Sequence, residues 1–450
     1  YDDIVAMDRS PQTFSTRDMS SPMVRSLGDM LMSKDGPPHR RERAAIEPSL
    51  RPRVIVDDWA PVFQRNADHL INGFVERGAV ELDSAFGSRL AARNLADLLG
   101  LRGIEDETML RWARAIVAGC GNYAQDEEVW LRNDAARGQI TEAVAEVVAH
   151  YQRNPDSSLI SGMLHASDPL TVEEISTNVG VLIAGGINEP NHALSIAMLG
   201  LLSHPEQRVE AESDESGKLW NKAFEEALRW VSPIGGYPRV TTQPVNFAGT
   251  QLDAGAPLIA MIAAANRDDG RYDRAGDFDI RRAVAPHLSF GSGSHMCLGA
   301  WMARVSIGQV AIPTLFRRLP GLRLVHPIDV VGQDWTSWMF RGLTELNVEW
   351  DTEESHSRTS SSVTVGITYV TPDGTQTTVN APVGSSVMTA AVAHDVPGIV
   401  ATCGGSMMCG TCHVYIEDQP SASLPEISLD EEGMLDFAAA ERRASSRLSC

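Results

Sequence analysis

Four cysteines near the C-terminal end of the chain have a spacing that suits metal chemistry. Cys403, Cys409, Cys412 and Cys450 form the pattern C-x5-C-x2-C-x37-C. Four thiolates can hold a zinc ion or an iron–sulfur cluster, and small residues around them admit backbone N–H bonds to sulfur. A fifth cysteine, Cys297, lies in FGSGSHMCLG, where glycines would let backbone amides approach an anionic sulfur.

The segment around Cys297 carries a specific motif. In FGSGSHMCLGAWMAR, the residues Phe290, Gly293, Cys297 and Gly299 occupy the fixed positions of F-x-x-G-x-x-x-C-x-G. This resembles the signature of the haem-thiolate monooxygenases, the cytochrome P-450 family, and implies haem b with Cys297 as the iron ligand. A thiolate pushes electron density through iron and favours O–O cleavage. A glycine-rich phosphate loop is the alternative, but the Lys-Ser/Thr ending that it requires is missing.

Further segments resemble the same family in the same order. Glu226 and Arg229 form E-x-x-R within FEEALRWVSP, and the i,i+3 spacing puts both on one helix face. The resemblance implies that they form a buried ion pair behind the haem, with Arg281 of FDIRR as a candidate third partner.

Four cations are candidates for contacts with the haem propionates. HRRER at 39–43 resembles the family's H-T-R-L-R segment, so that His39 and Arg43, at i and i+4, could both hold a propionate. Arg239 and His295 match two further contacts of the family. Cations at these positions suit charge-assisted hydrogen bonds to carboxylates.

The segment GVLIAGGINEPNHAL resembles the long helix that crosses the oxygen-binding face of the haem, with one departure. Where the family has an acid and an alcohol that relay protons, this chain has Asn188 and Glu189, followed by Pro190. Pro190 cannot donate to the carbonyl of Gly186, so we expect a kink and a carbonyl that could hold a water molecule. Glu189 could then carry protons while Asn188 orients water. Alternatively, Glu189 points away and pairs with a base.

The cysteines at the C-terminal end resemble the adrenodoxin and putidaredoxin type of ferredoxin. TCGGSMMCGTCHVYIED and EEGMLDFAAAERRASSRLSC carry this likeness, whereas plant-type ferredoxins use C-x4-C. The resemblance implies a [2Fe-2S] cluster and disfavours zinc. It also implies an acidic helix that docks the reductase, and the candidate residues are Asp430, Glu431, Glu432 and Asp436.

The composition and the hydrophobic pattern of the sequence change twice along the chain. Residues 1–350 contain apolar residues three and four apart, which predicts helices at 88–100, 140–151, 176–203, 219–231 and 298–318. Strand-like pieces lie near 237–262 and 321–350. Residues 351–361 have the composition of a solvated linker. In 362–450, alternating residues around Asp373-Gly374 predict a hairpin.

We therefore expect a mostly α cytochrome P-450 fold with small β-sheets, followed by an α+β [2Fe-2S] ferredoxin of the β-grasp type. By the resemblance, the first domain lacks its initial several dozen residues and the second lacks its last strand.

Composition limits the partners. The chain has 450 residues and a formal net charge of −21, which argues against nucleic acid and anionic membranes. No apolar run long enough for a membrane span is present, and the start is not a signal peptide. Five of the six cysteines are assigned to cofactors, which fits a reducing bacterial cytoplasm.

These features predict a self-supplied monooxygenase. NAD(P)H would reduce a separate flavin-containing ferredoxin reductase, and the cluster would pass electrons to haem for O2 activation. The substrate would be a small apolar or aromatic molecule that undergoes hydroxylation or O-demethylation. Two alternatives stay open: a peroxide-driven peroxygenase that uses Glu189, and a non-catalytic haem and cluster redox sensor.

Overall fold

The structure is a computed structural model that divides into two units, Tyr1–Thr352 and Glu353–Cys450. Each unit is described by itself. The described residues are 1–18, 21–283, 285–327, 337, 339–352, 364–382, 386–394, 396–399, 411–416, 427, 431–432, 435, 438 and 440–449.

The first unit is mostly helical. Its α-helices are α1 Asp2–Asp8, α2 Pro22–Leu27, α3 Gly36–Ile46, α4 Pro52–Val54, α5 Ala60–Asn72, α6 Ser88–Leu99, α7 Asp106–Cys120, α8 Glu127–Tyr151, α9 Leu159–Leu164, α10 Val172–Ser203, α11 Pro205–Ser213, α12 Lys218–Trp230, α13 Ile262–Ala265, α14 Ala300–Ala303 and α15 Ile312–Arg318. π-Helical segments at Ile55–Trp59, Asp83–Gly87 and Arg304–Ala311 extend or join several of them.

Within the described residues of this unit, the strands form three small antiparallel sheets. Their strands are β1 Phe14–Ser15, β2 Ala79–Glu81, β3 Tyr237–Thr241, β4 Val245–Phe247, β5 Thr250–Leu252, β6 Pro257–Ala260, β7 Arg323–Leu324 and β8 Asn347–Glu349. The strand orders are β1-β3-β6, β2-β8-β7 and β4-β5. In the first sheet Phe14 is opposite Thr241 and Tyr237 is opposite Ala260, which places the N-terminal segment beside the strand that carries Arg239.

Helix α10 is the centre of the core. Its residues are apolar around most of its circumference, so it is buried among α6, α7, α8 and α12. It continues unbroken through Pro190, so the proline removes one hydrogen bond without ending the helix. Among the described residues, no helix has the length and apolarity needed to cross a bilayer.

The start of α10 is fixed by a capping box that is shared with α3. The Thr171 hydroxyl accepts from the Glu174 backbone N–H at 3.2 Å, and the Glu174 carboxylate accepts from the Thr171 backbone N–H at 2.8 Å. The same carboxylate accepts from Arg41 of α3 at 2.6 Å. The N-terminus of α10 and helix α3 are therefore held by one side chain.

The second unit contains the predicted hairpin. Strands β9 Thr364–Val370 and β10 Gln376–Pro382 pair antiparallel, with Val370 opposite Gln376. Gly374 in the turn has a φ of +85°, a left-handed conformation that suits glycine. Helix α16 Val387–Ala393 follows, capped by Ser386, and β11 His413–Tyr415 pairs with β12 Ser446–Leu448.

Candidate active site

The loop that carries Cys297 is shaped by glycines. Gly291 and Gly293 have φ values of +65° and +64°, a region that side chains with a Cβ rarely adopt. The backbone N–H of Cys297 donates to the carbonyl of Phe290 over 2.8 Å and closes the loop. A Cβ on Gly299 would lie 3.8 Å from the Cys297 sulfur, so the backbone leading into α14 runs beside the sulfur.

The Cys297 sulfur is deep in the fold and yet not packed. Burial raises the pKa of its thiol, while the backbone N–H of Gly299 acts in the opposite direction. The cysteine is nevertheless exposed. Its sulfur is therefore surrounded by the protein without being closely packed. The charge of Glu189 on α10 also raises the pKa of this thiol, so the carboxyl lies within electrostatic reach of the sulfur.

The E-x-x-R residues form a closed cluster of charges. Arg229 donates to both carboxylate oxygens of Glu226, at 2.8 Å and 2.7 Å. Its remaining donors reach the carbonyls of Asn266, Ala275 and Asp277. A buried carboxylate and guanidinium are tolerated here because nearly every hydrogen-bonding position is filled.

The third partner of this cluster is Arg282, and the prediction of Arg281 is wrong. Arg282 Nε donates to Glu226 at 3.1 Å, and its side chain is 12% exposed. Arg281 is 51% exposed and pairs with Glu210 of α11 at 2.6 Å. The two arginines lie in a turn, in which the backbone N–H of Arg282 donates to the Asp279 carbonyl at 3.1 Å, and their side chains reach different partners.

The cation candidates for the propionates lie around the cysteine loop. His39 is buried, and its ring centroid lies 4.2 Å from that of His295. Its Nε2 atom has no hydrogen-bond partner among the residues that the structure describes. Burial, followed by the charges of His295 and Arg43, lowers the pKa of His39 to about 4, so the ring is neutral at pH 7.

The other three candidates already have partners within the protein. Arg43 donates to the carbonyls of Ser294 at 3.2 Å and Met296 at 2.8 Å, on the cysteine loop. His295 Nε2 lies 3.0 Å from Asp35 Oδ1. Arg239 donates to Asp8 at 3.0 Å. A guanidinium has five N–H groups, so both arginines keep donors for a further carboxylate.

This arrangement fits a haem. An unpacked buried sulfur is suited to a metal ligand, and the unpaired Nε2 of His39 is a buried polar atom that lacks a partner within the described residues. Cys297 would bind the iron, and His39, Arg43, Arg239 and His295 would hold the propionates.

Glu189 on α10 is a half-buried residue whose carboxyl oxygen Oε2 is buried. Its Oε2 atom finds no partner within the described part of the chain. Burial raises the pKa of this carboxyl to about 8, so it is protonated at pH 7. A Cβ on Gly185 would lie 3.9 Å from Oε2, which shows that the carboxyl folds back over the preceding turn, where Gly185 itself is exposed.

The neighbours of Glu189 have different contacts from those expected. The amide of Asn188 donates to the carbonyl of Ala184 at 3.3 Å, so it bonds to the helix backbone. Gly186 packs against Leu95 of α6, where a Cβ would lie 3.0 Å from a methyl carbon. Its carbonyl as a water site stays a prediction.

A further group with a buried polar atom, His192, lies one turn after Glu189. Its Nδ1 atom has no partner in the described residues, and burial lowers its pKa to about 4. A Cβ on Gly342 would lie 2.2 Å from the His192 ring, so the ring fills the space beside this glycine. In the sequence, the position of His192 three residues after Glu189 is the feature that could have indicated that the two lie on the same side of the helix.

In the second unit the structure describes one of the four cluster cysteines, Cys412, which is buried. Ser449, next to the fourth cysteine, donates to the Cys412 carbonyl from its backbone N–H at 3.1 Å and from its hydroxyl at 2.8 Å. This joins the segments of two predicted ligands. Cys403, Cys409 and Cys450 lie outside the described residues.

Glu431 does not belong to an exposed docking face, which corrects the prediction. It is 6% exposed and accepts from Arg447 at 2.8 Å and from the Leu448 backbone N–H at 2.9 Å. Its carboxylate therefore anchors β12. Glu432 is exposed and pairs with Arg442 at 2.6 Å. Asp430 and Asp436 lie outside the described residues.

Comparisons with known proteins match a segment of each of the two units. Residues 130–319 match the cytochrome P450 family, and residues 370–450 match the 2Fe-2S iron-sulfur cluster binding domain. The chain is 29% identical over 324 residues to a biotin biosynthesis cytochrome P450 of Bacillus subtilis (strain 168), covering 72% of this chain and 80% of that protein.

Two further relatives extend the likeness. A steroid C26-monooxygenase of Mycobacterium tuberculosis (strain CDC 1551 / Oshkosh) is 28% identical over 330 residues, covering 72% of this chain and 87% of that protein. The crystal structure of P450BioI in complex with hexadec-9Z-enoic acid ligated acyl carrier protein has a TM-score of 0.70 at 27% identity, covering 78% of this chain and 91% of that one.

The fold and the site together define a haem-thiolate protein with an iron–sulfur domain on the same polypeptide. The chain contains a cytochrome P450 domain and a 2Fe-2S ferredoxin domain, as the two cysteine motifs predict. It is an enzyme, a P450 monooxygenase, the class to which relatives of its first domain belong.

Proposed function

We propose that the ferredoxin domain is the electron donor to the P450 domain of the same chain. A separate flavin-containing ferredoxin reductase, itself reduced by NAD(P)H, would supply the cluster. The observation that carries this proposal is the presence of both domains on one chain. Tethering raises the effective concentration of the donor to roughly millimolar, and the predicted 11-residue linker reaches ~17–20 Å.

Bound haem would supply the activation of O2 and the transfer of one oxygen atom to the substrate. The role of the protein is to hold the haem and to manage protons. Cys297 contributes the thiolate, and Arg43 ties α3 to the cysteine loop through Ser294 and Met296.

Glu189 is the proposed proton carrier. A carboxyl that is protonated at pH 7 can donate, and it matches a general acid whose pKa lies near the working pH. The usual acid and alcohol are replaced by Asn188 and Glu189, and Asn188 is bonded to the helix backbone. The carboxyl of Glu189 is thus the group on this turn with a proton to give.

The substrate that we propose is a small, uncharged, apolar or aromatic molecule, with O-demethylation as one reaction. Glu189 and His192 are both shifted toward their neutral forms at pH 7, so this part of α10 offers no charge to an ionic ligand. A substrate screen that follows the Soret band would identify compounds that displace water from the iron.

The electron route can be tested with Cys412→Ser. Loss of one cluster ligand should abolish the rhombic EPR signal of the reduced cluster and collapse NADH-driven turnover with an added reductase, while carbon monoxide still gives the thiolate spectrum. Cys120→Ser is the matched control, because Cys120 is also a buried cysteine but lies in α7 of the first unit. Undiminished turnover of Cys412→Ser without added ferredoxin would rule out the fused donor.

A peroxide-driven reaction is the second candidate, favoured by the buried unionised carboxyl of Glu189. It needs no electron donor, so hydrogen peroxide should support equal product formation in wild type and in Cys412→Ser. If peroxide supports no product at all, this candidate is excluded. A redox sensor without catalysis predicts no substrate-induced Soret shift and no NADH-dependent product.

A further inference from the structure

A buried carboxylate outside the predicted site joins three parts of the helical unit. Asp8 ends α1, and its side chain is 1% exposed. Its Oδ1 accepts from Arg239 Nη2 at 3.0 Å. Its Oδ2 accepts from the hydroxyls of Tyr237 at 2.5 Å and Ser292 at 2.8 Å. Helix α1, strand β3 and the cysteine loop therefore meet at one carboxylate.

The backbone of Asp8 also supports the cysteine loop. A Cβ on Gly293 would lie 2.3 Å from the carbonyl oxygen of Asp8, and Gly293 has a φ of +64°. Backbone contacts this close are available only to glycine. The glycine of the cysteine motif thus lies directly against the end of α1.

Arg239 is held on several sides but keeps unused donors. Its Nη1 donates to the carbonyl of Pro238 at 2.9 Å, and its guanidinium carbon lies 4.4 Å from the centroid of the Tyr237 ring. The bonds to Pro238 and Asp8 use two of the five N–H groups, so the guanidinium can bind Asp8 and a second carboxylate together. That second carboxylate would be a haem propionate.

We propose that Asp8 is a positioning residue for the haem: it fixes Arg239 and the cysteine loop to one another, and it competes with a propionate for the charge of Arg239. The proposal rests on haem binding by the P450 domain and is independent of the electron route and of the substrate.

The competition has a sign that can be measured. Reduction adds an electron to the haem, and a nearby negative charge opposes it. Asp8 offsets part of the positive charge of Arg239, so it favours the oxidised form of the haem. The Tyr237 hydroxyl offsets part of the charge of Asp8 by donating to it. Removing Asp8 and removing this hydroxyl should therefore have opposite effects.

The experiment measures the haem reduction potential of the full chain by spectroelectrochemistry. Asp8→Asn should raise the equilibrium constant for one-electron reduction by roughly three- to tenfold, and Tyr237→Phe should lower it. The double variant should match Asp8→Asn alone, because no charge remains for the hydroxyl to offset. Asp3→Asn is the matched control, since it removes the same charge from an exposed position of α1, and it should cause no shift.

A purely structural role predicts a different pattern. General loosening of the site would shift Asp8→Asn and Tyr237→Phe in the same direction, and that result, or an unchanged potential in Asp8→Asn, would overturn the proposal. The carbon monoxide spectrum checks that each variant retains the thiolate. If Asp8→Asn does not bind haem, Tyr237→Phe decides alone: a lowered potential supports the proposal, and an unchanged or raised potential rejects it.

Discussion

Two sets of buried titratable groups in the helical unit differ in whether they have partners. Glu226 and Arg229 bond to each other, to Arg282 and to three backbone carbonyls. Glu189 and His192 on α10 each have a buried atom that bonds to nothing within the described residues. In the first set, oppositely charged side chains are in direct contact and their hydrogen bonds are made. The second set is shifted toward neutrality, with pKa values of about 8 and about 4.

This difference in hydrogen bonding indicates which set stabilises the fold and which set takes part in the reaction. A buried charge with every hydrogen bond made is fixed, and removing one member leaves the others uncompensated. A buried group with an unmade bond costs stability, so its retention points to a role in function. We therefore expect substitutions in the first set to unfold the protein, and substitutions in the second set to alter the reaction.

The largest effect is expected for Glu189→Gln. A glutamine cannot ionise, and general acid catalysis typically contributes about 10²–10⁴-fold. Product formation should fall by at least about 10²-fold, and more of the NADH should be lost to peroxide. Product per NADH is measured with the same reductase for wild type, Glu189→Gln and Glu173→Gln, which removes an exposed acid from α10. Equal coupling in all three would make Glu189 structural.

Next in size is the loss of a partner from the paired set. Arg229→Ala leaves Glu226 buried with one cation fewer and should cost about 3–5 kcal/mol of unfolding free energy. Denaturant unfolding followed at the Soret band gives this value. The adjacent arginines provide the contrast: Arg282→Ala should destabilise clearly, while Arg281→Ala should cost less than about 0.5 kcal/mol. Equal losses for these two would contradict the inward position of Arg282.

A smaller effect is expected where His192 meets Gly342. A methyl group on Gly342 would overlap the His192 ring, so Gly342→Ala should cost about 1–3 kcal/mol. Adding His192→Ala should remove most of that cost, because the ring is then absent. A double-mutant cycle of unfolding free energies measures the coupling. Additive losses would show that the two residues do not share the space.

A further prediction concerns the pH dependence of stability. The folded pKa of Glu189 is raised to about 8 from an ordinary value of 4.5, so between these values the unfolded chain has lost a proton that the folded chain keeps. Its contribution to stability is present below pH 4.5 and is lost as the pH rises to 8. Glu189→Gln should flatten this decline when unfolding free energies are compared between pH 5 and pH 8. An identical slope in both proteins would contradict the shifted pKa.

Local motifs were sufficient to predict several of the helices and the hairpin. The helix predicted at 176–203 is observed as Val172–Ser203. It could be predicted because the signals that define it, its apolar periodicity and its capping residues, all lie within the helix or next to it in sequence. The hairpin around Asp373-Gly374 could be predicted for the same reason, because the two turn residues favour the backbone conformation that a tight turn needs. Helix α8 begins at Glu127, well before the predicted 140–151, because its first turns are largely polar.

Partners distant in sequence could not be predicted. Asp8 and Arg239 are 231 positions apart, and no pattern near either residue identifies the other. FDIRR offers two adjacent arginines, and only the three-dimensional path of the chain decides that Arg282 faces Glu226. Likewise Glu431 and Glu432 are chemically alike, but the strand behind them buries one and leaves the other exposed.

The carboxylate of Glu174 has a consequence for how the molecule opens. It caps the first turn of α10 through Thr171 and also holds Arg41 of α3, the helix that carries His39 and Arg43. Neither helix can detach without breaking bonds to the same side chain. We therefore expect the backbone amides of α3 and of the first turns of α10 to exchange with deuterated solvent in a single cooperative step, as one local unfolding unit.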